Sequence, residues 1–139
     1  ALLRIFVSVS TNLVNSAGER LLSGRNMRFV RRLVRDFLYR GATAEHTLTL
    51  WRQVLAGEDA YLYPYKGNAE LYFDTFHTFE PGVMRPFAER VMTEESLSDP
   101  YMQKIAAAMA KITPIPDTLV PETSLIREFI PGGKYEYLY

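Results

Sequence analysis

Residues 25–41 read RNMRFVRRLVRDFLYRG, a stretch holding six arginines and a single acidic residue. On a helix turning about 100° per residue, Arg28, Arg31, Arg32 and Arg35 fall within roughly 100° of one another. Phe29, Val30, Leu33, Val34 and Phe37 gather on a separate face. The stretch therefore predicts an amphipathic helix over residues 26–39, with Gly41 as its C-cap. That constrains the fold: one side of the helix must lie on a core, while the other must carry a row of guanidinium groups. The formal net charge of the chain is zero. Six arginines against Asp36 give this window +5, so the remainder carries −5, in scattered acids. Charge concentrated in one place in a neutral chain points to a local anionic partner rather than a surface that coats polyanions.

At 139 residues the chain is expected to form one domain, residues 1–139, with a sizeable core. It has no cysteine, which excludes disulfides, thiolate metal sites and cysteine nucleophiles and fits a reducing cytoplasm. No apolar run reaches the 18 or so residues of a membrane span. The opening at Ala1, with no initiator methionine, reads as a piece of something longer. Residues 2–9 (LLRIFVSV) and 70–75 (ELYFDT) read as strands, and residues 15–18 (NSAG) as a turn. Thr43 is placed to cap a second helix over about 44–55, with Leu48, Trp51 and Leu55 on one face and Gly57 ending it. Residues 61–67 form an aromatic loop. A helix follows over about 81–92, begun at Pro81. Asp99-Pro100 opens another that runs to Pro114. TSLIREF adds a turn or two, and PGG breaks the chain before KYEYLY. The C-terminal helical region thus spans about residues 81–130.

The bland reading of the arginine row is a solvated face, with Asp36 pairing to Arg40 at i,i+4. Yet solvated faces usually mix lysine with glutamate, and like charges at i,i+3 and i,i+4 repel. Forked planar donors without any lysine suit the oxygens of a phosphate. Other candidate sites are weaker. His46 and His77 fit no metal motif. Glu58-Asp59 and Glu94-Glu95 read as solvated pairs. Tyr61, Tyr63, Tyr65, Tyr72 and Phe73 could stack on bases, but packing in the core or an interface is the simpler expectation. Ser124 reads as a cap for a short helical turn.

The pattern Arg28-x-x-Arg31-Arg32-x-x-Arg35-Asp36-x-x-x-Arg40-Gly41 resembles the lid segment of the uridine/cytidine kinases. ATAEHTLTLW resembles the helix after that lid, and YPYKGNAELYFDT the family's last strand. PETSLIREFIPGG is similar to the ending of the larger bacterial uridine kinase-like proteins, which carry an upstream TGS-type region. The resemblance implies the C-terminal part of an ATP-dependent nucleoside kinase, working with ATP and Mg²⁺. Arg32, Arg35 and Arg40 would contact phosphates, with Arg28 and Arg31 in support. It further implies a helix-dominated α/β fold whose two strands belong to a parallel sheet of the parent protein, where near-continuous apolar strands suit a sheet covered on both faces. No G-x-x-x-x-G-K-[ST] phosphate loop occurs, since Gly133-Lys134 is followed by Tyr135. The chain on its own is therefore expected to be inactive, without a catalytic residue or a metal site of its own. Nucleotide and nucleoside would be its partners through the missing part, and exposed strands would make it a homo-oligomer. Membrane partners are not expected. The alternatives are a nucleic-acid-binding module or a structural module pairing its arginines with acids of another region.

Overall fold

The computed structural model describes residues 2–135; residues 136–139, the rest of the KYEYLY ending, lie outside the described part. Strand β1 (Ile5–Ser8) pairs in parallel with β4 (Leu71–Asp74), with Ile5 opposite Leu71 and Val7 opposite Phe73. Parallel neighbours need a long crossover, and here it contains most of the first half of the chain. A short antiparallel hairpin, β2 (Leu13–Val14) with β3 (Arg20–Leu22), comes first. Helices α1 (Gly24–Arg40) and α2 (Ala44–Tyr61) follow, then a 3₁₀ turn over Tyr63–Asn68. Beyond β4 come α3 (Glu80–Val91) and α4 (Pro100–Met109), with single 3₁₀ turns at Asp117–Leu119 and Leu125–Glu128. The architecture is mixed α/β and mostly helical.

Local chemistry sets the ends of α1. Ser23 caps it, and the side chains of Ser23 and Asn26 satisfy each other's backbone N–H groups in a capping box. Gly41 closes it at φ 62°, the left-handed conformation that glycine adopts without a Cβ penalty. At the other end Gly24 is obligatory for a different reason. A Cβ added there would sit 1.8 Å from the Val9 carbonyl oxygen, so only glycine lets α1 start against the exit of β1. The helix then buries Met27, Phe29, Val30, Leu33 and Val34 completely. They meet Leu48 and Trp51 of α2, Val83, Met84 and Ala88 of α3, and Met102, Ile105 and Met109 of α4 in one core. Phe29 anchors it, 5.7 Å from Trp51 and edge-on to Tyr101 at 5.2 Å. Each such side chain contributes about 1.5–3 kcal/mol by leaving water.

The structure departs from the sequence reading at several points. Helix α2 does not stop at Gly57 but continues a further turn to Tyr61. A mid-helix glycine costs only about 1 kcal/mol, and the added turn brings Glu58 onto the arginines of α1. Phe37 is 41% exposed rather than buried with the apolar face, while its neighbour Leu38 packs against the core. Helix α4 ends at Met109 rather than at Pro114. Thr113 precedes a proline and so avoids helical backbone. The connection between β1 and α1 contains the β2–β3 hairpin, for which the sequence reading had only the turn at residues 15–18. Its NSAG turn is as expected, with Gly18 at φ 80°. The β1–β4 sheet, expected to be covered in a larger parent protein, has an open face here among the described residues. Ile5, Val7, Leu71 and Phe73 are each more than half exposed on one side.

Candidate anion-binding site

The arginines of α1 face α2 and the C-terminal turn across a groove of about 200 Å³ lined by Arg28, Arg31, Arg32, Arg35, Trp51, Val54 and Phe129. Four of the five sequence-predicted arginines thus meet in one groove. Arg40, the fifth, lies at the helix end outside that lining. The groove-lining side chains include no acid, yet each arginine has a counterion nearby, and those counterions sort the row into different roles.

Arg31 is the most deeply held. Its guanidinium forms a forked ion pair with the fully buried Glu80, Nη2 donating to Oε2 at 2.7 Å and Nε donating to Oε1. Nη2 also donates to the Thr75 carbonyl at 2.7 Å, and Phe129 lies under the guanidinium at 5.3 Å. Arg31 is therefore a fastener between α1, the exit of β4 and the start of α3. Arg28 pairs with Glu58, which is buried, and its guanidinium lies 5.7 Å from the Trp51 ring. Arg25, one turn earlier, donates to Asp59 and stacks 4.2 Å over Tyr63. The bond to Asp59 holds the Arg25 guanidinium still further above its already high ordinary pKa, against the opposing effect of burial.

Arg32 and Arg35 differ. Both rest on one carboxylate, Asp36, which is only 3% exposed. Arg32 donates through Nε alone, to Oδ2 at 3.2 Å. Arg35 donates to Oδ1 through Nε at 3.2 Å and Nη2 at 3.0 Å. Arg40 reaches the same oxygen at 3.2 Å, the i,i+4 pair expected from spacing. Asp36 therefore aligns two guanidinium groups on the groove without neutralising both. Among the described residues, Nη1 and Nη2 of Arg32 and Nη1 of Arg35 have no protein acceptor. Such donors, held by a buried carboxylate and flanked by Trp51 and Phe129, can bind the oxygens of a phosphate or carboxylate.

The sequence missed the walls and the distant counterions. The sequence places Trp51 on one helix face with Leu48 and Leu55; its indole N–H donates inward to the Tyr101 hydroxyl at 3.2 Å, while its ring also lines the groove. That hydroxyl accepts from Asn26 as well, at 3.1 Å, and burial pushes the phenol pKa up despite both bonds. Glu58 and Asp59 are not simply solvated, since Glu58 is buried and both pair with arginines of α1. The pairs Arg28–Glu58 and Arg31–Glu80 span 30 and 49 residues, beyond any local spacing rule. Tyr61, Tyr65, Tyr72 and Phe73 are exposed rather than packed in the core. His46 is exposed at the start of α2, and His77 keeps a buried Nδ1 without a hydrogen-bond partner among the described residues. Glu94 and Glu95 are exposed as expected, and Ser124 caps its turn through a bond from Ile126 N–H.

No family model, curated protein or solved structure matches the chain. Of the groups implied by the kinase resemblance, the polyphosphate of ATP fits the chemistry of the groove, whose uncommitted donors are all guanidinium N–H. The described residues include no group of three or more His, Cys, Asp or Glu side chains that could hold a metal ion.

Proposed function

We propose that the arginine groove binds the phosphate chain of a nucleotide, and that this chain is the lid-bearing part of an ATP-dependent nucleoside kinase acting on uridine or cytidine. The observation that carries the reading is the shared carboxylate. Asp36 orients Arg32 and Arg35 while leaving terminal N–H groups of both without a protein acceptor. A merely solvated row needs no buried aligning acid. Arg32 and Arg35 would hold the phosphates, Arg28 would add charge beside Trp51, and Arg31 would keep the helix in place. Arg40 would steady Asp36 from the helix end. Bound ATP supplies the phosphoryl group; the arginines contribute position and stabilisation of developing charge, where phosphoryl transfer gains most of its catalysis. The chain lacks a phosphate loop, so it is expected to release no ADP from ATP and nucleoside by itself.

Trp51 is the only tryptophan of the chain and lines the groove, so ligand entry can be followed by its fluorescence. ATP and tripolyphosphate should change the Trp51 emission in a saturable way. Arg32→Ala and Arg35→Ala should each abolish the change, and lysine at either position should restore little of it, because a point charge cannot replace the fork. Arg90→Ala, on the exposed side of α3, should leave it intact. An unchanged response in both groove variants would overturn the reading. A response to single-stranded oligonucleotides at far lower concentration than to ATP would favour nucleic-acid binding instead.

A further inference from the structure

A second cavity, larger than the groove, opens where β1 delivers the chain to α1. It has a volume of about 400 Å³, within the usual range for small-molecule sites of roughly 300–1,000 Å³. Four cations from four separate elements line it: Arg20 of β3, Arg25 of α1, Lys66 of the 3₁₀ turn and Lys104 of α4. No acidic side chain does. Arg25 is paired, with Asp59 and Glu58. Arg20, Lys66 and Lys104 form no ion pair among the described residues. Gathering three unpaired cations around one cavity is electrostatically unfavourable unless an anion occupies it.

Other features of the cavity suit an anion. The hydroxyls of Ser8 and Ser10 lie 2.8 Å apart at its edge, and either can turn to donate outward. Gly24 and Arg25, at the first turn of α1, also line it; helix N-termini leave such N–H groups without intrahelical acceptors and carry positive potential. Lys66 is held in position over aromatic rings, 5.3 Å from Phe6 and 5.7 Å from Tyr72, rather than by a carboxylate. Its charge therefore remains available to a ligand.

We infer that this cavity is a second anion site, distinct from the arginine groove, and that it takes a small molecule carrying more than one phosphoryl group. The charge count decides the class. Three cations free of acid partners suit two or more phosphoryl groups and exceed what one phosphate monoester can balance. The cavity is also too confined, and its basic residues too few, to follow a nucleic-acid backbone over many nucleotides.

The experiment is calorimetric titration of the 139-residue chain with tripolyphosphate, ADP and AMP at low salt. It is repeated on an Arg20→Ala/Lys104→Ala double variant and on an Arg32→Ala/Arg35→Ala double variant, with melting curves for each. Arg20 and Lys104 are exposed and are not part of the core, so their variant should melt like the parent. Two sites for tripolyphosphate are expected in the parent. The Arg20/Lys104 variant should lose one of them, weakened at least about tenfold per cation removed. The groove variant should lose the other and keep this one. AMP should bind here at least about tenfold more weakly than ADP. The inference is overturned if the Arg20/Lys104 variant binds tripolyphosphate as the parent does, if the groove variant leaves no binding, or if AMP equals ADP. Displacement by a short oligonucleotide at a lower concentration than tripolyphosphate would also overturn it. Because the two sites are removed by different variants, failure here leaves the groove reading standing, and the reverse.

Discussion

Arg31→Ala should be among the most destabilising single changes in the arginine row. The side chain is buried, and its partner Glu80 has no exposed surface at all. Removing the guanidinium would leave a carboxylate inside the protein without its two-pronged donor, and would free the Thr75 carbonyl as well. Breaking a buried pair in this way costs about 3–5 kcal/mol. That is a large share of the roughly 5–15 kcal/mol that holds a domain of this kind folded. Arg32→Ala, by contrast, removes one bond from a carboxylate that keeps others and should cost no more than about 1 kcal/mol. Urea unfolding followed by far-ultraviolet circular dichroism measures both, with a common slope required for the comparison. A further variant closes the test: Arg31→Met with Glu80→Leu replaces the pair by apolar groups and should recover most of the loss. If Arg31→Ala unfolds within about 1 kcal/mol of the parent, the buried fastener is wrong and Arg31 belongs with the solvated groups. If the double variant is as unstable as the single one, the cost lies in packing rather than in the unpaired charge.

Three other perturbations test the fold from different sides. Arg127 is buried and donates to the carbonyls of Asp117 at 2.7 Å, Val120 at 2.6 Å and Pro131; Arg127→Ala should destabilise by about 2–4 kcal/mol in urea unfolding, since buried carbonyls left unbonded cost about 1–3 kcal/mol each, and an unchanged midpoint would refute this. Burial pulls the Asp74 pKa up, but bonds from the Thr11 hydroxyl and from the N–H groups of Ser10 and Phe76 outweigh it and hold the carboxyl below its ordinary 3.8. Its contribution is present above that value and is lost as pH falls through the lowered one, so the stability gap between the parent and Asp74→Asn should shrink between about pH 5 and pH 2; a gap independent of pH would count against it. The exposed row of Ile5, Val7, Leu71 and Phe73 should make the chain self-associate, and Val7→Lys with Phe73→Lys should return it to a monomer by light scattering. A clean monomer of the parent at high concentration would dispose of that prediction.

Much of the local structure was legible because its causes are local. Thr43 and Asp99 are polar caps in front of apolar periodicity, and each accepts a backbone N–H at the start of its helix; Ser23, which caps α1 ahead of the expected start, was missed. The parallel strands could be read from their branched and aromatic residues. What could not be read is pairing across distance. Glu58 and Asp59 look like a solvated acidic pair until α2 lies against α1, and only then does Gly57 prove to be a helix-interior residue. Glu80 looks like an ordinary first-turn acid, favourable at a helix N-terminus, until the packing of α3 places it against Arg31. The exposed face of β1 and β4 is a different case: apolar content says that a strand can be covered, and in this chain Ile5, Val7, Leu71 and Phe73 are left open.

The zero net charge was the least informative number of all, and the ion pairs explain why. Some of the acids that balance the chain are engaged with cations at other places: Glu70 with Arg4, Asp99 with Arg52, Glu89 with Arg85. Those pairs are largely exposed and contribute little to stability. Their effect is instead on distribution, because a carboxylate held elsewhere does not neutralise the groove or the cavity at the end of β1. Arg32 and Arg35 are left sharing one carboxylate, and Arg20, Lys66 and Lys104 face a cavity with none. At physiological salt, charges more than about 8 Å apart in water are screened from each other. An approaching anion therefore responds to these local excesses and not to the sum. A chain can be neutral overall and still offer two positively charged sites, provided its acids lie elsewhere in the fold.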